Sequence, residues 1–312
     1  MIIKVLETLF PVGLLIGLGM LCKRTGILSS DTVSGLKKLV THLFLPVLVF
    51  DTMAHASLGA DSLLLFGCSV AFHLILFGVA RKVRHHFGEN AQLYPYMIEC
   101  YECGMIGYAL IGALVGTEHL APVAVLDIGS CIFGFTILTN GLMLLTGEKK
   151  EHGILYQVLH TPTFVALLAG IAARVTGAGA WIETLPVSGI YTNSVELVTA
   201  PLTPVILLCI GFDLRFEKDA LGDIFRVALS RIGMSVLFFA ITAGLCLAFT
   251  GMDRTLLVTL IMYFALPPTF LVPMYVKEEK QARFVAGYLS VAIIFSLIVY
   301  PLSKMKSFFC SI

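Results

Sequence analysis

Two carboxylates three residues apart, Glu99 and Glu102, lie in the middle of an otherwise apolar stretch running from Tyr94 to Gly116. On a helix that spacing puts both on one face. Away from water the charged form of a carboxyl group is disfavoured, and more so beside a second one. Such a group can take a proton in one state of a carrier and release it in another, which makes Glu102 the first candidate for proton coupling. The alternative is a permanently neutral Glu102 bonded to a backbone carbonyl. A rival use of the same oxygens is a sodium site, with unwound carbonyls and Thr269 completing the ligands a hard cation wants. Asp127 is a third acid in an apolar run and joins either network, or else bonds a neighbouring helix. Cys100 and Cys103 form a Cys-x-x-Cys, but no second ligand pair accompanies them, so neither a metal nor a redox cofactor is expected. His42 and His73 read as helix–helix hydrogen-bonding groups, Glu196 as water-facing and Asp213 as a solvated or gating residue.

These acids are costly where they stand, because a carboxylate at the centre of a spanning helix costs roughly 2.5–3.5 kcal/mol on insertion scales. The composition leaves no doubt about the surroundings. Hydrophobic residues make up 58% of the chain and charged residues 13%, against roughly 25% charged in a soluble domain. A net charge of +1 offers no basic face for nucleic acid. The chain reads as an all-α integral membrane protein.

Apolar runs separated by short loops predict ten spans, at 5–22, 36–55, 61–80, 93–115, 121–145, 157–176, 190–212, 227–249, 255–275 and 284–303. Basic residues fall on one side. Lys23, Arg24, Lys37, Lys38, Arg81, Lys82, Arg84, Lys149, Lys150, Arg215, Lys218, Arg226, Arg231, Lys277, Lys280 and Arg283 follow odd-numbered spans. Only Lys4, Arg174, Arg254, Lys304 and Lys306 oppose them. Basic loops stay cytoplasmic, so a multi-pass protein of the plasma membrane with both termini on the non-cytoplasmic side is expected. No Lys or Arg is expected in the middle of a span.

An internal repeat orders the spans. Pro11–Gly26 aligns without a gap on Pro162–Gly177, and Leu39–Phe50 on Leu197–Leu208. Spans 1 and 2 thus match 6 and 7, giving repeats at 1–154 and 155–312. Five spans per repeat is an odd number, so the second is inverted, as in many secondary transporters. Spans 4 and 9 then correspond. Pro267 and Pro268 break the ninth, and Gly104 and Gly107 give the fourth the freedom to break. Crossing at one point, the two breaks would present free amide groups to an anion. Simple proline kinks and close glycine packing are the plainer alternative.

At these residues the chain resembles the auxin efflux carrier family, whose bacterial members are called malonate or malate permeases and whose fold is related to the bile acid:sodium symporters. The likeness covers nearly the whole chain and rests on Lys23–Ser29 (KRTGILS), Phe44–Phe50 (FLPVLVF), Glu102–Leu110 (ECGMIGYAL), Ala200–Leu214 (APLTPVILLCIGFDL) and Ala265–Phe270 (ALPPTF). The family's crossover Asn falls on Glu102, its Leu-Pro on Tyr108 and Ala109, and polar residues after its paired prolines on Leu271 and Val272. The resemblance implies a scaffold of spans 1, 2, 6 and 7, a mobile transport domain of spans 3–5 and 8–10, elevator-like movement, and a homodimer joined through the scaffold.

The expected function is a secondary active transporter of small organic anions, carboxylates foremost. Glu102, Cys103, Gly104, Gly107, Pro267, Pro268 and Thr269 form the substrate site, and Glu99, Glu102 and Asp127 the coupling site for protons. Sodium coupling is the alternative, and a membrane receptor or sensor using the same pocket a further one. No enzyme motif or Walker sequence is present, and no cofactor is implied beyond the coupling ion.

Overall fold

The computed structural model describes residues 2–55, 60–146, 162–186, 188–214, 220–276 and 278–304. The loop residues Lys149, Lys150, Arg215, Lys218, Lys277 and Lys306 lie outside that set. Among the described residues every regular element is a helix. Among the described residues six helices are long and apolar enough to cross a bilayer, and the count reaches seven when the helix pair Pro162–Thr176 and Ala178–Thr184, bent by 70°, is taken as one span. Ile2–Thr25 is a further helix of 24 residues. The stretches expected as spans 4 and 9 are not continuous helices: each is interrupted near its middle.

The chain divides into two compact units. One comprises Met1–Leu58, Gly104–Ala124 and Leu159–Asp213; the other comprises Gly59–Cys103, Val125–Val158 and Leu214–Ile312.

In the first unit, Ile2–Thr25 packs on Leu202–Asp213, and Pro162–Thr176 packs on Leu45–His55. Both contacts depend on a missing side chain. A Cβ on Gly19 would collide with the carbonyl oxygen of Leu208, and one on Gly170 would lie 2.7 Å from that of Phe50. Small residues let membrane helices approach backbone to backbone, where the drive is packing rather than water exclusion. In the aligned segments Gly19 matches Gly170, and Phe50 matches Leu208. Smaller features match as well. Thr25 donates to the Leu21 carbonyl at 2.9 Å and Thr176 to that of Ala172 at 2.8 Å. The glycines that follow them, Gly26 and Gly177, take φ of 73° and 76°, ending each helix in the left-handed conformation that glycine adopts without strain. An ion pair joins Lys37 to Asp213, so Asp213 is paired rather than simply solvated.

In the second unit, Leu221–Phe249 packs against Ala60–Val83, Arg254–Ala265 and Glu279–Lys304. Aromatic rings fill the space between them. Phe72 meets Phe238 edge-on at 4.3 Å, and Tyr101 lies 4.8 Å from Tyr263. Long apolar side chains such as Leu63, Leu229 and Leu247 point outward instead. On a water-soluble protein that would be a liability; on a spanning helix it is the lipid-facing surface.

Candidate functional site

The second unit holds the two interruptions. Asp253 caps Arg254–Ala265 by accepting from the Leu256 amide at 2.7 Å. The helix stops at Leu266, which is extended at φ −61° and ψ 148°. Proline disfavours helical backbone in the residue before it and supplies no amide hydrogen, so Pro267 and Pro268 end the helix together. After Thr269 the chain re-forms only one short turn, Val272–Tyr275.

The other interruption is built differently. A four-residue helix, Tyr94–Met97, gives way to irregular backbone at 98–102, followed by a π-helical turn at Cys103–Gly107 and the helix Tyr108–Val115. Gly107 is right-handed helical, with φ −61° and ψ −54°. The residue in the left-handed region is Cys100, at φ 54°. A side chain makes that conformation costly, and such strain concentrates at functional positions. The hinge expected at the glycines therefore lies several residues earlier.

Glu102 joins the two breaks. Its backbone N–H donates to the Pro267 carbonyl at 2.9 Å, and its carboxyl oxygen accepts from the Phe270 amide at 2.8 Å. Unwound backbone with paired partners is what membrane depth tolerates where it is buried in protein or lines a cavity.

Two comparisons place this architecture. A model of the family described as membrane transport protein matches residues 4–303. The chain belongs to that family. It is also 25% identical over 305 residues, covering 95% of this chain and 96% of the relative, to an uncharacterized transporter of Methanothermobacter thermautotrophicus. The auxin efflux carrier-like resemblance thus holds over almost the whole length, and the protein is a multi-pass membrane transporter rather than an enzyme.

In this transporter the carbonyls freed by both breaks meet one cation. Arg231, only 5% exposed, donates to the carbonyls of Ile98, Cys100 (2.9 Å) and Leu266 (3.2 Å). Its guanidinium also lies 4.5 Å from the centre of the Tyr101 ring. The planar fork of arginine suits this work, since its donors reach several acceptors at once. The finding corrects the expectation from sequence, in which Arg231 counts among the cytoplasmic loop cations and no basic residue stands in the middle of a span. Arg231 sits about three turns into Leu221–Phe249 and leaves the loop count. The signal was the apolar sequence on both sides of it, Val227–Leu229 before and Ile232–Phe239 after.

Glu99 and Glu102 do not share a helical face, because the backbone between them is not helical. Glu99 is fully buried and bonds His73 Nδ1 at 2.9 Å, with His73 equally buried. The remaining atoms of that pair, His73 Nε2 and Glu99 Oε1, have no hydrogen-bond partner among the described residues. His73 is thus a helix–helix hydrogen-bonding group, as its isolation in an apolar run suggests, but its partner is an acid of the broken helix. Ligand atoms of His73, Glu99 and Cys100 lie within 4.8 Å of one another, close enough to share an ion. The guanidinium of Arg231, bonded to the carbonyls on either side of Glu99, opposes a metal cation there.

Asp127 is buried close to the thiols of Cys103 and Cys131. The Cys100 thiol points instead to the Ser130 carbonyl at 3.6 Å, and the seven described cysteines are all free. Thr269 accepts from the Leu271 amide at 3.3 Å. Glu102, Cys103, Pro267, Pro268, Thr269 and Asp127 therefore gather at the crossover, Gly104 and Gly107 continue the chain out of it, and Glu99 stands apart with His73.

Proposed function

We propose that this transporter carries small organic anions, carboxylates foremost, by elevator-like alternating access, and that protonation of Glu102 couples the movement to protons. The observation that carries the reading is the bond from the Phe270 amide to the Glu102 carboxyl oxygen. A backbone N–H at the crossover already serves a carboxyl group of the protein itself. A substrate carboxylate presents the same acceptor, and a proton on Glu102 lowers the repulsion such an anion would meet. Protons are favoured over sodium by Arg231. It occupies carbonyls that a sodium ion would need, and its positive charge opposes a second cation nearby.

The ten-span architecture with two inverted repeats belongs to the same proposal. Its support is the matched pair of glycine contacts, the matched helix ends at Gly26 and Gly177, and two breaks at corresponding spans. The Ile2–Thr25 helix and the two broken helices, added to the six spans and the bent pair, reach that number. The scaffold of spans 1, 2, 6 and 7 is supported by the first compact unit, which gathers those spans together with the second half of span 4. The basic loops support plasma-membrane insertion with external termini, and the family resemblance supports a scaffold-mediated homodimer.

The test is thermal stabilisation of the purified protein by a panel of mono- and dicarboxylates at pH 5.5 and 7.5, with and without sodium. A ligand that binds the folded state raises the melting temperature by mass action. A carboxylate that stabilises more strongly in acid, and loses that dependence in Glu102→Gln, supports the proposal. A response that requires sodium contradicts its coupling, and silence across the panel contradicts its substrate class.

A further inference from the structure

The buried positive charge of Arg231 has no carboxylate in direct contact. The three groups that its guanidinium bonds are neutral carbonyls, and among the described residues no acid forms a salt bridge with it. Glu99, which lies between two of those carbonyls in sequence, bonds His73 instead. A buried charge is ordinarily paired, because taking one out of water alone is costly.

Beside this cation the second unit contains a cavity of about 30 Å³, between Leu221–Phe249, Glu279–Lys304 and the end of Arg254–Ala265. That is roughly the volume one water molecule occupies in the liquid, so the space suits a single small ion or water. Its polar side chains are Arg231, Ser235 and Tyr288, and every other side chain lining it is apolar. Tyr288 is 1% exposed, and its hydroxyl has no hydrogen-bond partner among the described residues. A buried polar group without a partner is rare enough to need an explanation. The Ser235 hydroxyl lies 2.9 Å from that of Tyr101, so with Tyr101 donating, the Ser235 proton is available. The carbonyls at this end of the helix are already engaged: Ala265 accepts from Ser296 at 2.5 Å, and Leu266 from Arg231 at 3.2 Å. The lining therefore offers a cation and hydroxyl donors, and no acid.

We propose that this cavity binds a small monoatomic anion of the chloride type, held by Arg231, Tyr288 and Ser235. The anion supplies the counter-charge of the guanidinium and accepts from the Tyr288 hydroxyl. A water molecule would satisfy Tyr288 but leave the charge of Arg231 unbalanced. A cation would meet the guanidinium, and an organic carboxylate is too large for the space. The site uses no residue of the proposed substrate site, so the two readings stand or fall separately.

The test is the melting temperature of the purified protein across a chloride titration, with gluconate holding the ionic strength constant. An ion that binds the folded state raises the melting temperature by mass action. The wild-type protein should show a saturable rise, and Glu102→Gln should show the same one. Tyr288→Phe removes only the unpartnered hydroxyl. In gluconate it should melt no lower than wild type, while its half-saturating chloride concentration should rise at least about tenfold. Bromide should replace chloride and give an anomalous scattering peak between Arg231 and Tyr288 in crystals. No saturable response in the wild type, or one unchanged in Tyr288→Phe, would overturn the proposal. So would an equal loss of stability by Tyr288→Phe in both salts, which would assign the cavity to water. A chloride response seen only in Glu99→Gln would make Glu99 the counter-ion and overturn it as well.

Discussion

Arg231 and Cys100 are coupled through the backbone: the guanidinium donates to the Cys100 carbonyl at 2.9 Å, at the residue that holds a left-handed conformation with φ 54°. The same side chain reaches Leu266 at 3.2 Å, at the end of the other interrupted helix. One buried arginine therefore satisfies carbonyls that both breaks release. This matters more in a membrane than in water, because no solvent stands ready to replace it.

The first prediction concerns that arginine. Arg231→Met keeps an unbranched apolar side chain there but leaves the carbonyls of Ile98, Cys100 and Leu266 without their donor, at a cost of about 1–3 kcal/mol for each buried group left unsatisfied. Arg231→Lys should also destabilise, because a single ammonium cannot reproduce the fork. Thermal unfolding in detergent checks both; a melting temperature unchanged in Arg231→Met would mean the three bonds contribute nothing.

A second prediction follows from the orphaned atoms of His73 and Glu99. The two side chains are fully buried and in direct contact, so they should behave as one unit. Glu99→Gln, His73→Ala and the double variant form a cycle whose coupling should be about 0.5–3 kcal/mol in unfolding free energy. Additive effects would show that the pair is not energetically linked.

Much of this arrangement is legible in the sequence and part of it is not. The crossover is visible because acids and helix breakers stand where an uninterrupted apolar run would otherwise be. Pro267 and Pro268 end their helix by a purely local steric effect, which needs no tertiary knowledge. The partnership of Glu99 with His73 is hidden, since it depends on the backbone unwinding at 98–102 and so abandoning the three-residue helical spacing. Arg231 is misplaced for a related reason. Hydropathy and charge counting register a cation near the end of an apolar run, but not whether its side chain turns toward water or toward unpaired carbonyls. The strained residue is likewise unexpected, because Cys100 rather than a neighbouring glycine takes the positive φ.

The third prediction tests the repeat through its contacts. Gly170 lies where a Cβ would come within 2.7 Å of the Phe50 carbonyl oxygen and 2.8 Å of the Met53 Cβ. Gly170→Val should therefore push two helices apart and destabilise the protein by about 1–3 kcal/mol, the usual range for overpacking. Gly19→Val, at the matching position against Leu208, should do the same. Gly17→Val, on the same helix as Gly19, is the control, since nothing lies within 4 Å of where its Cβ would stand. Melting temperatures that fail to separate the control from the other two would remove the close contacts as a structural requirement.

The most direct test of proton coupling is transport itself, in proteoliposomes loaded with whichever carboxylate stabilises the purified protein. Wild-type protein and Glu102→Gln are compared in two modes, accumulation driven by a pH gradient of either direction and exchange without a gradient. Glu102→Gln should lose gradient-driven accumulation while exchange persists. Accumulation that keeps its full pH dependence in Glu102→Gln would contradict a proton-coupling role for Glu102.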